Sequence, residues 1–371
     1  MKTPKPPIPL SLLTGFLGAG KTTLLNRLVR DPAFAKTAVI INEFGDVAID
    51  NLLVERAEDG VIALASGCVC CTIRGELVEA LERLLRAVDN RRIDEIRRVV
   101  IETTGLADPA PILYLLTRHP YLSLRFRLDG IITVVDAVHA MATLDAHEEA
   151  IRQIAVADRI VLSKSGWRGA AVEATMARAR RLNPGVTVLD AEKGEATPTA
   201  LTGCGPFDPD AKGTDVRRWL ATEAFVDDHD HEHEADVHDH DHDVNRHDDH
   251  IAAFALVSDR AAPRRAVFDL IDRLEVEHGS RLLRVKGILG LAENPDVPLV
   301  VQGVQGIFSP PIALPAWPDD DHRSRLVVIG RDLDRRAITT LFDATMGEVR
   351  IDTPDRAGLF DNPLAIPGRT Q

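Results

Sequence analysis

The sequence predicts an α/β protein in which a mainly parallel sheet is covered by helices on both faces and is followed by a smaller α+β C-terminal domain. In the first half of the chain, short apolar runs such as 8–13 and 37–42 alternate with longer amphipathic stretches such as 74–90. Short buried strands that alternate with helices are typical of parallel sheets. With 371 residues, of which 45% are hydrophobic, the chain is long enough for two or three domains.

Hydrophobic periodicity assigns the elements in chain order. In the first region we expect strands at 8–13, 37–42, 60–65, 99–101, 130–135 and 159–162, and helices at 22–30, 74–90, 148–157 and 169–182. In the second region we expect strands at 251–257, 282–289, 299–302 and 326–329, and helices at 263–278 and 335–344. The second region therefore mixes strands and helices without regular alternation.

Changes in composition divide the chain into four parts. Glycine and proline cluster at 203–206, and a run of histidine and acidic residues occupies 227–250. A run without apolar period cannot form a core. We therefore expect a phosphate-binding α/β domain at 1–204, a flexible linker at 205–250, an α+β domain at 251–345 and a loose tail at 346–371.

Charge and hydropathy exclude several classes of partner. The net charge is −13, but eleven acidic residues and one arginine lie between 227 and 250, so the rest of the chain is close to neutral and general nucleic-acid binding is disfavoured. No apolar run reaches the roughly 18 residues of a membrane span, and the N-terminus lacks the core of a signal peptide. Three of the four cysteines lie within four residues, which suits a reducing compartment. We expect a cytoplasmic protein that binds neither nucleic acid nor membrane.

A phosphate-binding motif follows the first expected strand. Residues 15–22 fit the P-loop pattern G-x-x-x-x-G-K-[ST], and a helix is expected directly after it. Backbone amides and the helix N-terminus would hold phosphate oxygens, Lys21 would neutralise the β- and γ-phosphates, and Thr22 would ligate Mg²⁺. The candidate phosphate contacts in this segment are Gly15, Gly18, Ala19, Gly20, Lys21, Thr22 and Thr23.

A second phosphate motif is expected at the end of strand 99–101. Glu102 would hold Mg²⁺ or its water, and the amide of Gly105 could reach the γ-phosphate. The candidate catalytic residues are therefore Lys21, Thr22 and Glu102. No residue stands out as the one that orients the attacking water.

The base-binding motif is incomplete. Residues 163–166 read Ser-Lys-Ser-Gly at the place of a guanine-binding N-K-x-D, so Ser163 stands for the asparagine and Gly166 for the aspartate. That aspartate would accept two hydrogen bonds from guanine. Ser163 and Lys164 are candidate nucleotide contacts, and the missing carboxylate leaves the base preference open.

Three cysteines form a candidate metal site. Cys68, Cys70 and Cys71 can supply three thiolates to Zn²⁺, and a carboxylate such as Glu43, water or a partner's ligand can complete the shell. An incomplete shell suits a transferable metal better than a structural one. A redox pair of thiols and plain buried cysteines are the alternatives. Cys204 stands alone and is expected to be inert.

A histidine-rich segment is the third chemical feature. Eight of the 13 histidines lie between 229 and 250, where they alternate with aspartate and glutamate. Imidazole and carboxylate together bind Zn²⁺, Co²⁺ or Ni²⁺. A solvated, self-repelling linker is the alternative, and both interpretations can hold. The candidate weak accessory ligands are His229, His231, His233, His238, His240 and His242.

Together these motifs resemble the CobW-like P-loop GTPases, the family of zinc and cobalt metallochaperones. The resemblance covers about 8–345 and rests on GFLGAGKTT at 15–23, INEFG at 41–45, GCVCC at 67–71, ETTGLADP at 102–109 and ADRIVLSK at 157–164. The segments 284–287, 302–304 and 324–326 resemble the family's CobW C-terminal domain. The departure from the family pattern is the loss of the aspartate at Gly166.

The resemblance implies a GTP-hydrolysing metal carrier. In such proteins the CxCC cysteines bind the cargo ion beside the nucleotide switches, and the nucleotide state controls metal affinity and docking to a client metalloenzyme. The implied cofactors are GTP, Mg²⁺ and Zn²⁺, with Co²⁺ open as the cargo of a cobalamin-pathway carrier. Turnover is expected to be slow without a partner, and a homodimer is also left open.

Two other functions are compatible with the residues. A non-catalytic metal buffer or sensor would work through the histidine-rich segment and bind nucleotide weakly, although a complete Lys21-Thr22 pair argues against it. An ATP-dependent kinase or synthase would share the phosphate site, but the sequence has no recognisable acceptor site. The cargo metal and the client are not specified by the sequence.

Overall fold

The chain forms two β-sheets in the computed structural model, which describes residues 6–42, 55–56, 62–66, 73–93, 95–204 and 250–347. The first sheet contains β1 (Ile8–Thr14), β2 (Thr37–Asn42), β3 (Glu55–Arg56), β4 (Ile62–Ser66), β5 (Arg98–Glu102), β6 (Phe126–Asp136), β7 (Arg159–Ser163) and β8 (Thr187–Asp190). Their order across the sheet is β3-β4-β2-β5-β1-β6-β7-β8. All neighbouring pairs are parallel except β3 and β4. The predicted mainly parallel sheet is confirmed.

Helices cover both faces of this sheet. They are α1 (Lys21–Leu28), α2 (Ile73–Asp89), α3 (Ala110–Arg118), α4 (Leu122–Arg125), α5 (Ala140–Ala146), α6 (Glu148–Ala155), α7 (Val172–Leu182) and α8 (Pro198–Leu201), with a 3-10 turn at Pro32–Phe34. Because side chains alternate along a strand, Leu12 shares a buried cluster with Leu81 of α2, whereas Leu13 shares another with Leu25 of α1. None of the helices in the described ranges is long and apolar enough to cross a membrane.

The parallel strands bring several loops to one edge of the first sheet. Strand β1 lies between β5 and β6, and Leu13 of β1 is paired with Glu102 on one side and Ile132 on the other. The carboxyl ends of β1, β5, β6 and β7 are therefore neighbours. Open α/β sheets bind their ligands at this edge.

The second sheet is antiparallel. It contains β9 (Ile251–Ser258), β10 (Leu282–Leu291), β11 (Asn294–Val304), β12 (Ile307–Phe308), β13 (Ile312–Ala313) and β14 (Ser324–Arg331). The strand order is β12-β11-β10-β14-β9, and β13 pairs with β11. Helices α9 (Arg264–His278) and α10 (Arg335–Thr345) share a buried cluster with its strands. The smaller α+β unit predicted from the sequence is confirmed.

A buried ion cluster joins the two sheets. Asp158, which lies directly before β7, forms salt bridges with Arg284 and, at 3.4 Å, with Lys286, both on β10. Asp158 Oδ2 also accepts a hydrogen bond of 3.0 Å from the backbone amide of Ile131. Strands β10, β11 and β14 each add an apolar residue to the core cluster of the first sheet. The two sheets therefore share both apolar contacts and one buried carboxylate.

Some element bounds differ from those expected. Strand β6 spans Phe126–Asp136 rather than 130–135. The polar residue Asp129 lies inside the strand and interrupts the apolar pattern before 130. Strand β11 begins at Asn294 rather than 299, and its first three residues are exposed and not apolar-rich. Helix α3 was not predicted, although its buried residues Ile112, Leu113, Leu115 and Leu116 lie on one helical face. The four-residue strand β8 was also not predicted.

Candidate nucleotide-binding site

Glycines shape the loop between β1 and α1. Gly15, Gly18 and Gly20 have φ values of 141°, 71° and 94°, in a region that side chains disfavour. Gly15 also lies so close to β6 that a Cβ would stand 2.3 Å from the carbonyl oxygen of Val134. Helix α1 begins at Lys21 without a side-chain cap. Its first backbone amides and its dipole are therefore directed at the loop, which is the arrangement that binds phosphate.

The ammonium of Lys21 lies against this loop. Its Nζ donates hydrogen bonds to the carbonyl oxygens of Gly15 at 2.9 Å and Phe16 at 3.2 Å. Lys21 is only 9% exposed. A cation fixed beside the converging amides is suited to neutralise the β- and γ-phosphates of a nucleotide.

Thr22 and Glu102 meet at the start of α1. Thr22 Oγ1 donates a hydrogen bond to Glu102 Oε1 at 2.6 Å. Glu102 is the last residue of β5 and is 3% exposed, and the parallel register with β1 places it beside the P-loop. Hydroxyl and carboxylate oxygens are the ligands that Mg²⁺ takes at phosphate sites, where waters and phosphate oxygens complete its octahedron. The donors present here therefore fit Mg²⁺ bound to a nucleotide.

A cavity of about 660 Å³ lies in front of these residues, within the usual size range of ligand pockets. It is lined by Leu17, Gly18, Gly20, Lys21, Thr22, Thr23, Glu102 and residues 103–106. The hydroxyl of Thr104 is buried without a hydrogen bond to any part of the chain that the structure describes. A buried polar group of this kind normally binds a ligand or water. The cavity thus combines room for phosphates with polar groups that can hold them.

The loop after β5 approaches the P-loop closely. A Cβ on Gly105 would stand 2.5 Å from the backbone nitrogen of Leu17, so a side chain would push the two loops apart. Gln153 of α6 fixes this loop, because its Nε2 donates hydrogen bonds to the carbonyl oxygens of Gly105 at 3.2 Å and Ala107 at 3.4 Å. Gln153 is 1% exposed. No sequence pattern marks Gln153, since its partners lie more than 40 residues away in the chain.

The incomplete base motif is attached to the P-loop. Ser163 Oγ donates a hydrogen bond of 2.6 Å to the carbonyl oxygen of Ala19. Lys164 Nζ donates one of 3.0 Å to the carbonyl oxygen of Gly18 and pairs with Asp136 at 2.5 Å. The serine that replaces the expected asparagine therefore still holds the P-loop.

Asp136, at the end of β6, is a site residue that the motifs did not identify. Its carboxylate binds Lys164, His139 Nδ1 at 2.9 Å and the amide of Val138 at 2.8 Å. Burial alone would raise the pKa of Asp136, but these hydrogen bonds lower it below the usual value. The ionised carboxylate keeps the ammonium of Lys164 beside the P-loop. Its position at the carboxyl end of an expected strand is the sequence signal that could have found it.

A second cavity of about 560 Å³ continues the first, since Gly18, Gly20 and Thr23 line both. On the side away from Glu102 it is lined by Ser163, Lys164, Trp167, Ala191 and Glu192. The two cavities form one groove that runs from the phosphate motifs to the base motif.

The candidate cargo-metal residues lie outside the described ranges. They are Glu43, Cys68, Cys70, Cys71, His229, His231, His233, His238, His240 and His242. Within the ranges that the structure does describe, no group of three or more His, Cys, Asp or Glu side chains could hold a metal ion. Cys204 is buried, and burial raises the pKa of its thiol to about 12, which agrees with the inert role expected for it.

Two parts of the chain match domains of known proteins. Residues 9–190 match the CobW/HypB/UreG nucleotide-binding domain, and residues 251–346 match the C-terminal domain of the cobalamin synthesis protein CobW. The chain belongs to the CobW family. The match to the nucleotide-binding domain includes the P-loop, Glu102 and the base motif, and it ends with β8. The resemblance inferred from the motifs is confirmed.

Named relatives of this CobW-family chain include zinc-handling proteins. The zinc chaperone YjiA of Escherichia coli is 34% identical over 336 residues, which cover 91% of this chain and 98% of YjiA. The zinc-regulated GTPase metalloprotein activator 1 of Schizosaccharomyces pombe is 36% identical over 166 residues, which cover 43% of this chain and 39% of that protein. A Zn(II)-bound triple mutant of YjiA GTPase, with one glutamate and two cysteines changed to alanine, aligns at 30% identity with a TM-score of 0.68, covering 92% of this chain and 99% of that one.

Proposed function

We propose that this CobW-family protein is a GTP-hydrolysing metallochaperone that binds Zn²⁺ and delivers it to a client metalloenzyme. The proposal depends most on the bond between Thr22 and Glu102 beside Lys21, in a chain that aligns over 91% of its length with a zinc chaperone. A passive metal buffer would have no need of a complete site for Mg²⁺ and triphosphate. Both parts of the chain also have counterparts in the relative, since the alignment covers 91% of this chain and 98% of that protein.

Hydrolysis depends on positioning and on charge. Lys21 and the first amides of α1 would hold the phosphates, and Thr22 and Glu102 would hold Mg²⁺ directly or through its water. When bound there, Mg²⁺ neutralises the charge that develops on the phosphoryl oxygens. Gly105 brings the loop after β5 against the P-loop, so that this loop can respond to the γ-phosphate. Without a partner to complete the site, we expect slow turnover.

The cargo site is proposed at Cys68, Cys70, Cys71 and Glu43. Strands β2 and β4 are parallel neighbours that end together, with Asn42 paired to Ser66. In the sequence Glu43 directly follows Asn42, and the cysteines begin two residues after Ser66. Strand β2 is also the direct neighbour of β5, which ends at Glu102. The order of the strands therefore supports a metal site beside the nucleotide site, where nucleotide state can change metal affinity.

The first experiment measures phosphate release from GTP and from ATP, with Mg²⁺ and with zero or one equivalent of Zn²⁺. We expect turnover that prefers GTP and responds to Zn²⁺. The variant Lys21→Ala is expected to abolish turnover, and Cys70→Ala is expected to retain basal turnover and to lose the response to Zn²⁺. Absence of turnover with either nucleotide would contradict the enzymatic part of the proposal.

The second experiment counts bound metal by equilibrium dialysis against Zn²⁺ or Co²⁺, with and without GTP. The YjiA triple mutant binds zinc although one glutamate and two cysteines are changed to alanine. Bound zinc alone therefore does not identify the cysteine site, and the number of bound ions must be compared between variants. We expect Cys70→Ala to lose one nucleotide-sensitive ion and removal of residues 229–247 to lose only weakly bound ions. If that removal abolishes all metal binding and GTP has no effect, a histidine-rich buffer is the better description. If the protein binds Co²⁺ more tightly than Zn²⁺, Co²⁺ replaces Zn²⁺ as the proposed cargo.

The proposed setting is the reducing cytoplasm, where the thiolates stay available to metal. The proposed client is a metalloenzyme, which agrees with a relative named as a metalloprotein activator. Pull-down with Mg²⁺ and a non-hydrolysable GTP analogue, followed by assay of the captured protein for metal uptake, tests this part. Capture of the client that does not depend on nucleotide would contradict coupling between nucleotide state and client binding.

A further inference from the structure

The motif at 163–166 lacks the carboxylate that recognises guanine, because Gly166 stands where aspartate is expected. Guanine presents two donors on one edge, N1–H and the 2-amino group, and a carboxylate accepts from both. Adenine presents an acceptor at N1, which a carboxylate repels. A GTPase without any carboxylate at this place would discriminate poorly between the two bases.

The carboxylate of Glu192 lies at the vacant position. The backbone amide of Gly166 donates a hydrogen bond of 2.8 Å to Glu192 Oε2. A Cβ built on Gly166 would stand 2.5 Å from the same oxygen. The space in which a side chain at 166 would begin is therefore taken by a carboxylate from another loop.

The loop that carries Glu192 is tied to the base motif. Ser165 Oγ donates a hydrogen bond of 2.6 Å to Asp190 Oδ1, and the amide of Glu192 donates one of 2.9 Å to the same oxygen. Glu195 Oε2 accepts a bond of 2.8 Å from the amide of Asp190. Burial alone would raise the pKa of Asp190, but the bonds from Ser165 and the loop amides lower it. An ionised Asp190 thus fixes the loop that carries Glu192 against the base motif at 163–166.

Glu192 also borders the cavity in which a base would lie. Ser163, Lys164 and Trp167 line the same cavity of about 560 Å³, which continues into the phosphate cavity. The ammonium of Lys164 lies 5.7 Å from the centre of the Trp167 ring. An aromatic ring and a lysine stem provide flat, partly apolar surface for a purine. The carboxylate of Glu192 is therefore placed where it can accept hydrogen bonds from the edge of that purine.

We propose that Glu192 replaces the missing aspartate of the base motif and is the residue that makes this protein prefer guanine nucleotides. A carboxylate can accept several hydrogen bonds, so Glu192 can bind the Gly166 amide and still accept from N1–H and the 2-amino group. This inference depends on the GTPase part of the proposed function and is independent of zinc delivery.

The test measures dissociation constants of the diphosphates of guanosine, inosine, xanthosine and adenosine, with Mg²⁺ and without zinc. Inosine lacks the 2-amino group, and xanthosine carries a carbonyl in its place. In the wild-type protein GDP should bind more tightly than the other three. Glu192→Ala should weaken GDP binding by roughly 5- to 150-fold, the range of one bidentate base contact, and should weaken inosine diphosphate less.

Glu192→Gln separates recognition from loop structure. The glutamine oxygen can still accept from the Gly166 amide, while its NH₂ group repels the donors of guanine and suits the carbonyl of xanthine. We expect weaker GDP binding and tighter xanthosine diphosphate binding. Glu173→Gln, an exposed change of the same charge on α7, is the matched control and should leave all four constants unchanged. An equal loss for all four nucleotides in Glu192→Gln would overturn the proposal.

A second variant moves the carboxylate back to the motif. Gly166 is not in the left-handed region, and the atom that blocks a Cβ there belongs to Glu192. Gly166→Asp combined with Glu192→Ala should therefore restore the preference for GDP over inosine and adenosine diphosphates. Continued loss of base preference in a double variant that binds all four nucleotides would count against the proposal. Absence of any nucleotide binding by the wild-type protein would instead contradict the GTPase function itself.

Discussion

Thr22 Oγ1 donates a hydrogen bond of 2.6 Å to Glu102 Oε1, which joins the first turn of α1 to the end of β5 across 80 residues of sequence. The bond brings the two Mg²⁺ ligands expected of a P-loop protein to one point. It also connects the phosphate loop to the strand that lies between β1 and β2. A change at the γ-phosphate can therefore reach both neighbours of β5.

Thr22→Ala is expected to lower GTP turnover by about 100-fold or more, because it removes one metal ligand and one bond to Glu102. Phosphate release at saturating Mg²⁺ measures this loss. Thr22→Ser retains the hydroxyl and is expected to keep most of the turnover. Equal activity of the alanine and serine variants would contradict the role of the hydroxyl.

Gly15→Ala is expected to destabilise the protein by about 1–3 kcal/mol or more and to weaken GDP binding. The new Cβ would meet the carbonyl oxygen of Val134 at 2.3 Å, and the backbone has a φ of 141°. Urea unfolding and GDP titration measure the two effects. Gly75→Ala is the matched control, because Gly75 lies in α2 and an added Cβ would meet no atom within 4 Å outside the neighbouring helix backbone. This change should raise stability by about 0.4–1 kcal/mol. Similar effects of the two changes would contradict the steric argument.

The sequence was sufficient for the features that are local. The P-loop and the strand before it depend on neighbouring residues, so the motif at 15–22 and the alternation of strands and helices predicted the parallel sheet. Gln153 and Glu192 were not found, because each acts on a loop that is distant in the sequence. Asp136 was missed although it directly follows an expected strand. The missing aspartate at Gly166 left the base preference open, and only the folded arrangement of the two loops places the carboxylate of Glu192 beside Gly166. Long-range contacts of this kind leave no periodic signal in one sequence.

Asp158→Ala is expected to lower the free energy of unfolding by about 3–5 kcal/mol, the usual cost of removing one partner from a buried ion pair. The change leaves Arg284 and Lys286 together without their shared carboxylate, and Asp158 and Arg284 have almost no exposed side-chain surface. Urea denaturation followed by fluorescence measures the loss. Asp272→Ala, an exposed change on α9, is the control and should have little effect. A loss below about 1 kcal/mol for Asp158→Ala would contradict the structural role of the cluster.

Lys286 should make stability depend on pH in the alkaline range. Burial, with help from the neighbouring charge of Arg284 and against the attraction of Asp158, lowers the pKa of Lys286 from 10.5 to about 8. Between these two values the unfolded chain holds a proton that the folded chain has released, so stability contributed by this group rises with pH from about 8 to 10.5. At pH 7 the folded protein bears the full cost of the buried charge.

Lys286→Met removes the free-energy cost of burying the Lys286 ammonium at every pH. We expect the variant to be more stable than the wild-type protein at pH 7, and we expect the difference to shrink as the pH approaches 10.5. Urea midpoints at several pH values measure the difference. Lys286→Arg keeps the charge throughout the range and is expected to be less stable than the wild-type protein at the alkaline end. Parallel pH curves for the wild-type protein and the methionine variant would contradict a titrating Lys286.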